Sequence, residues 1–232
     1  MIELNKIDGH IHVETPAMTP YTALKLINEQ GLHAALVDHV FSDRHRITPT
    51  WIKEECRCKF PEVDFIHGCE VDVYGNGLIA LPERLVAAMD FIMVSFTHAG
   101  QPGVVNDEEF EVPEKLAARL MYLLNAAVDW PFTDVIAHPF ALSLNPVKTA
   151  RFIEAVNLAQ LHEILQKAAQ LDVKIEINAR TLRRMPVEPQ KLFLRAALEC
   201  RCVFTIGSDA HTLDEIGQTD EALEMIEELH IP

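Results

Sequence analysis

No run of apolar residues in this 232-residue chain approaches the length needed to span a bilayer, and the opening stretch MIELNKIDGH is too polar and too acidic for a signal peptide. The sequence therefore reads as a soluble, cytoplasmic protein with no membrane partner. Cysteine is sparse. Cys56, Cys58, Cys69, Cys200 and Cys202 are odd in number and lack the density of a disulfide scaffold, so reduced thiols are expected. Cys56 and Cys58 have no second pair at zinc-ribbon spacing, which argues against a thiolate metal site. Positive charge is also short, with 20 Lys and Arg against 35 Asp and Glu and a net charge of −15. Phosphate backbones are bound mainly by clustered basic side chains, so a surface that coats nucleic acid is disfavoured. An anionic substrate would have to be held by bound cations and local arginines. Repeats, low-complexity tracts and linkers are missing too. With 49% hydrophobic residues, the whole of 1–232 is expected to form one catalytic domain around one core.

What is present is a regular alternation. Ile2, Leu4 and Ile7 form an apolar run that ends in Asp8-Gly9-His10-Ile11-His12 and reads as a first strand. Thr19-Pro20 and Gly31 bracket a helix of about ten residues, with an N-cap, a proline at the first helical position and a glycine past the end. Strands are expected at 33–39, 63–73, 91–96, 134–137, 173–177 and 203–206. Helices are expected at 51–60, 82–89, 113–128, 158–168 and 188–199, the clearest being 113–128 with Leu116, Leu120, Leu123, Leu124 and Ala127 at helical spacing. Gly75-Asn76-Gly77 signals a hairpin turn, residues 99–112 read as a loop, and Thr212 with Glu215 forms a capping-box pattern before Gly217. Seven strands alternating with helices argue for an α/β fold with a parallel sheet and crossover helices. A closed or nearly closed barrel is the first choice and an open doubly wound sheet the second.

The ends of those strands carry the chemistry. His10 and His12, His39, Glu70, His98, His138, Asn178, then Asp209 and His211 stand at the seven C-terminal strand ends. In β/α barrels that end holds the active site, so these groups are expected to converge in one mouth. Six of the eleven histidines fall there. The set is nitrogen and carboxylate without thiolate, which suits Zn, Mn or Fe. It is larger than one ion uses, so two or three divalent ions are expected, with Glu70 able to bridge two of them. Such a centre turns water into hydroxide near neutral pH and stabilises both the attacking and the leaving oxygen of a displacement. His33 and His67 are read as structural, and His162 and His230 as surface groups.

These residues resemble the polymerase and histidinol phosphatase (PHP) superfamily of metal-dependent phosphoesterases. The motifs are DGHIH at 8–12, VDH at 37–39, GCE at 68–70, SFTH at 95–98, AHP at 137–139, EIN at 176–178 and GSDAH at 207–211, in that order over nearly the whole chain. The resemblance implies a distorted (β/α)7 barrel with a di- or trinuclear centre at the C-terminal ends of its strands. It implies that His10, His12, Glu70 and Asp209 hold one ion and Glu70, His98 and His138 a second. His39 and His211 would contribute to a third. Many members carry a further histidine or acid shortly after the first pair, where this chain has Glu14 and then 15–18 (TPAM). The stretch 176–184 is similar to the histidinol phosphatase branch, in which a Leu-Arg follows the EIN strand, and Arg183 matches that arginine.

The function expected is hydrolysis of a small phosphate monoester by a metal-bound hydroxide. Glu70, Asp209 and Asp8 are the expected catalytic carboxylates, Asp8 by orienting a ligand imidazole. Asn178, Arg183, Arg180 and Arg44 are the expected substrate contacts, since a planar guanidinium can clamp two phosphate oxygens. Three alternatives stand beside this reading. A single-strand nuclease is opposed by the acidic balance and the lack of an aromatic-basic stripe. Hydrolysis of a non-phosphate bond is opposed by the arginines, and a non-enzymatic metal-binding module by the full ligand set. The substrate and the oligomeric state are not readable from the sequence.

Overall fold

The computed structural model describes residues 3–14, 18–41, 44–45, 48, 50–98 and 107–232, with the backbone alone at Phe41, Arg44, His45, Thr50, Trp51 and Asp107. The chain runs through β1 (Ile7–His12), α1 (Pro20–Gln30), β2 (His33–Phe41), β3 (Arg44–His45), α2 (Thr50–Lys59), β4 (Phe65–Asp72), α3 (Glu83–Val86) and β5 (Phe91–Ser95). It continues through α4 (Asp107–Glu111), α5 (Pro113–Asp129), β6 (Val135–Ile136), α6 (Pro146–Ala155), α7 (Leu158–Gln170), β7 (Lys174–Asn178), α8 (Ala179–Arg184), α9 (Val187–Glu199), β8 (Phe204–Gly207) and α10 (Asp220–Leu229). Seven parallel strands pair in the order β1, β2, β4, β5, β6, β7, β8, with β3 folded back antiparallel on β2. The seam between β8 and β1 is closed by a single parallel bridge between Ile11 and Ala210, where His12 N–H donates to Ala210 O at 2.9 Å. The result is a nearly closed β/α barrel, as the alternation predicted.

Local chemistry accounts for the elements. In α1, Thr19 accepts from the Thr22 amide, Pro20 occupies the first turn and Gly31 ends the helix in the left-handed region at φ 64°. Helix α5 buries Leu116, Leu120, Leu123, Leu124 and Ala127 against the outer face of the sheet, the stripe read from the sequence. Outside the barrel, a large cluster that includes Phe96, Phe140, Phe152 and Phe193 joins strands to helices. Inside it sit Ala35, Val37, Phe91, Met93, Val135 and Ala137. They fill the floor beneath the strand ends, and the polar side chains described below gather at the mouth.

Several local expectations are corrected. Residues 4–6 form a 3-10 turn and β1 begins at Ile7, so the first strand is shorter than its apolar run. The turn at Gly77 is real, with Gly77 N–H donating to Tyr74 O at 2.7 Å, but it joins no hairpin strands. Part of the stretch read as a loop is α4, and α6 and α8 were not anticipated. Helix α6 carries a plain signal, since Asn145 caps it by accepting from the Lys148 amide and Pro146 follows. Among the described residues no helix is long and apolar enough to cross a membrane.

Gly68 lies on β4 where an added Cβ would stand 2.4 Å from the backbone oxygen of Phe91 and 2.5 Å from its ring. The neighbouring strand cannot retreat without breaking its ladder. Gly68→Ala should therefore cost about 1–3 kcal/mol of stability, read as a lower denaturation midpoint at unchanged slope. A midpoint equal to that of the parent would contradict the packing described here.

Candidate metal centre

Each parallel strand delivers its last side chains to the same mouth. Parallel register sets His39 level with Glu70 and Asp72 level with Ser95. His10 and His12 come from β1 across a register shift between Asp8 and Ile11, and their Nε2 atoms approach to 2.9 Å. His98 follows β5, His138 follows β6, and Asp209 and His211 follow β8. His138 and Asp209 hold their side chains from backbone in the left-handed region, at φ 26° and 55°. For residues other than glycine this costs roughly 1–3 kcal/mol, a strain that clusters at functional sites.

Glu70 is the hub. Its Oε1 lies 2.7 Å from His138 Nε2 and 3.7 Å from His98 Nε2, and its Oε2 lies 3.4 Å from His39 Nε2, 3.7 Å from His12 Nε2 and 3.8 Å from His10 Nε2. Asp209 Oδ1 stands 3.3 Å from His12 Nε2 and 3.9 Å from His10 Nε2. Donor atoms gather in three groups: His10 with His12 and Glu70, Glu70 with His98 and His138, and His12 with His39 and His211.

The far side of the rings is as ordered as the near side. His10 Nδ1 meets Glu176 Oε1 at 2.8 Å, His98 Nδ1 meets Asp72 Oδ1 at 2.7 Å, His39 Nδ1 meets Glu14, and His211 Nδ1 meets the backbone oxygen of Asp209 at 2.9 Å. A carboxylate or carbonyl at Nδ1 keeps a proton there and leaves Nε2 as a ligand atom. His12 and His39 also stack face to face, with ring centroids 3.6 Å apart.

This set fits metal ions. Two imidazole lone pairs facing each other at 2.9 Å repel unless a proton or a cation lies between them, and nitrogen ligands of a tetrahedral zinc are about 3.3 Å apart. Burial alone would lower the His10 pKa, but the Glu176 and Asp209 carboxylates reverse this and hold it at about 10. His98, pulled down by burial, is raised by Glu70 and Asp72 to about 9. Burial pushes the Glu70 and Asp209 carboxyls up, yet the surrounding imidazoles hold both well below the usual carboxylate range. Burial and the neighbouring His12 press His211 down to about 4. Without metal the cluster thus keeps its carboxylates ionised by holding protons on imidazoles.

A cavity of about 390 Å³ opens over these groups, with His39, Glu70, His98, His138, Asp209 and His211 on its floor. Arg180, Arg184 and Thr181 from α8 form one wall, with Phe110, Ala141, Ser143 and Met185 around the rim.

Of the sequence-predicted residues, the structure brings the eight metal candidates together and places Arg180 on the cavity. Arg183, Asp8 and Asn178 do not line it. Arg183 faces away, its guanidinium bonded to Glu221 at 2.6 and 2.9 Å and to Gln218 at 2.9 Å. One residue along a helix is about 100° of rotation, and it is Arg184, one position on and one turn from Arg180, that reaches the mouth. Among the described residues Asp8 orients no imidazole. Its carboxylate accepts backbone amides from Ser208 at 2.9 Å, Gly217 at 2.8 Å and His10 at 3.3 Å, and so ties β1 to the segment after β8. Asn178 Oδ1 caps α8 by accepting from the Thr181 amide at 2.9 Å. The expectation for Arg44 falls on a side chain outside the described residues. His67 pairs with Asp38 at 2.8 Å and His33 with Asp64 at 3.1 Å, away from the centre. Sequence reasoning missed Glu176 and gave Asp72 no role, although strand alternation puts them on the faces of Asn178 and Glu70.

Fold and site together define a β/α barrel with imidazole and carboxylate donors gathered at its C-terminal mouth. Comparison with a solved structure supports the fold. A histidinol phosphate phosphatase from Lactococcus lactis subsp. lactis Il1403, solved with zinc, L-histidinol and phosphate, superposes with a TM-score of 0.66 at 16% identity over 98% of this chain and 94% of that one. A probable phosphatase of Caldanaerobacter subterraneus subsp. tengcongensis is 28% identical over 178 residues, 75% of this chain and 61% of that protein. A probable phosphatase of Clostridium novyi is 26% identical over 174 residues, 73% and 62% of the two chains. The aligned stretch spans less than two thirds of the curated relatives it matches. No family model matches the chain. The fold of this chain matches that structural neighbour's over nearly its whole length.

Two outcomes follow from the electrostatics. Metal must displace protons from His10 and His98, so binding near pH 7 should release protons and affinity should climb as pH rises towards 9–10. Calorimetric zinc titrations in buffers of different ionisation enthalpy measure this, and a proton count of zero would refute the assignment of charge. Glu176→Gln should weaken metal binding by about 10- to 100-fold, because it disturbs the anchor at His10 Nδ1, and competition with a chromophoric chelator reads the change.

Proposed function

We propose that this chain is a metal-dependent phosphatase that hydrolyses a small phosphate monoester. The observation that carries the reading is the set of five imidazole Nε2 atoms aimed at Glu70, two of them also facing Asp209, beneath a cavity walled by Arg180 and Arg184. His10, His12, Glu70 and Asp209 would hold one divalent ion and Glu70, His98 and His138 a second, with His39 and His211 available to a third. Zn, Mn and Fe all suit these donors. When bound, the ions supply Lewis acidity towards phosphoryl oxygens and lower the pKa of water at the site.

The chain's own residues do the rest. Arg180 and Arg184 would take phosphate oxygens with N–H groups of their forks, which orients the phosphorus over the floor of the cavity. Asn178 contributes by capping α8 and so fixing where these arginines start. Glu176, Asp72 and Glu14 hold protons at Nδ1 of His10, His98 and His39, which keeps each ring in one orientation. Phe110, Ala141 and Met185 offer an apolar rim that excludes water around the leaving group. The curated relatives are probable phosphatases and the structural neighbour is a phosphatase solved with zinc and phosphate, which supports this reading.

The test is turnover of p-nitrophenyl phosphate by the purified chain before and after chelator treatment, with Zn, Mn or Fe added back and an oligonucleotide run in parallel. Activity should vanish with the metal, return with it, and favour the small ester. Glu70→Gln and His98→Ala should each lower kcat on the order of 100-fold or more while the circular dichroism spectrum stays the same. Full turnover in either variant, or turnover indifferent to chelation, would sink the proposal.

A further inference from the structure

Glu215 stands outside every group used so far. In the sequence it looks like the acid of a capping box with Thr212, but the structure gives it another task. The Thr212 side chain caps nothing, and Glu215 Oε2 instead accepts the backbone amide of His211 at 2.9 Å. Its Oε1 accepts from Arg180 at 2.7 Å and from Arg184 at 2.9 Å. One carboxylate therefore joins the segment that carries Asp209 and His211 to both arginines of the cavity wall. The turn that presents it is firm: Glu215 N–H donates to Thr212 O at 3.1 Å, and Ile216 next to it is 3% exposed.

We propose that Glu215 is a positioning residue that splints Arg180 and Arg184 against the metal-binding segment, so that phosphate affinity depends on a carboxylate that touches no substrate. Arginine is long and flexible, and holding it in one rotamer before the ligand arrives removes an ordering cost from binding. The arginines are not used up by the contact. Each gives Glu215 an N–H of a fork that carries several, and one carboxylate facing two guanidiniums leaves net positive charge at the cavity. Their spacing of four residues on α8 puts both on one helix face, within reach of a single acid. Arg183, between them in sequence, is held by Glu221 on another face.

This inference rests on the reading of the cavity as a phosphate site, and the test separates the two. Metal-loaded full-length chain is titrated with inorganic phosphate by calorimetry, and KM and kcat are measured for p-nitrophenyl phosphate. Glu215→Gln should weaken phosphate binding about five- to tenfold and raise KM to match, with kcat changed less than about twofold, at unaltered metal content. In an Arg180→Ala/Arg184→Ala background the same substitution should change phosphate affinity by less than about twofold. Glu215→Asp, which keeps the charge but shortens the reach, should fall between parent and Glu215→Gln and provides the comparison if the latter folds poorly. Parental affinity in Glu215→Gln, or an equal loss in both backgrounds, would overturn the proposal. Phosphate binding without turnover would count against the phosphatase reading and still leave this cycle decisive. No phosphate binding by the parent would end both.

Discussion

A buried carboxylate needs positive charge or hydrogen-bond donors beside it, and this barrel buries several at one end. Glu70 is 2% exposed, Glu176 1% and Asp209 7%, and Asp72 and Glu14 pair with His98 and His39. Among the described residues every ion pair these five make is with an imidazole. Lysine and arginine would satisfy the charge permanently. Imidazole satisfies it with a proton that can be given up to a metal ion. That exchangeable charge is the constraint around which the strand ends are arranged.

The fold serves the constraint through a few tight contacts. Glu176 bonds the His10 ring with one oxygen and accepts the His138 amide at 2.7 Å with the other, so one carboxylate from β7 sets groups on both sides of the barrel. Space for it comes from Gly207, where an added Cβ would lie 2.4 Å from Glu176 Oε1 and 2.6 Å from His10 Cβ. His138 accepts an unfavourable backbone conformation in the same place. Asp8 ties β1 to Ser208 just past β8, and Ala35, Val37 and Met93 form an apolar floor.

The strand ends were readable because their signal is redundant. Each motif pairs an apolar run with one or two polar residues, and parallel topology turns that linear order into a ring. Glu176 and Asp72 were within reach of the same alternation but lay beneath residues with a more obvious role. The arginines failed for a different reason. Helix α8 is six residues long and follows β7 with no loop, so whether Arg183 or Arg184 meets the cavity depends on a helical phase that so short a segment does not reveal. The reach of Glu215 back to the His211 amide is likewise a tertiary choice, since its spacing from Thr212 is that of an ordinary cap. Asp8 has the chemistry of an orienting carboxylate, and only the position of the Ser208 and Gly217 amides decides that it orients backbone instead.

The central proposal is that the gathered imidazoles and carboxylates hold more than one metal ion. Anomalous diffraction from crystals of the chain grown with zinc or manganese, collected on both sides of the metal absorption edge, tests it most directly. The account predicts separate peaks, one among His10, His12, Glu70 and Asp209 and one among Glu70, His98 and His138, with Glu70 between them. Crystals that show no anomalous density at these side chains, with the metal present throughout, would contradict it.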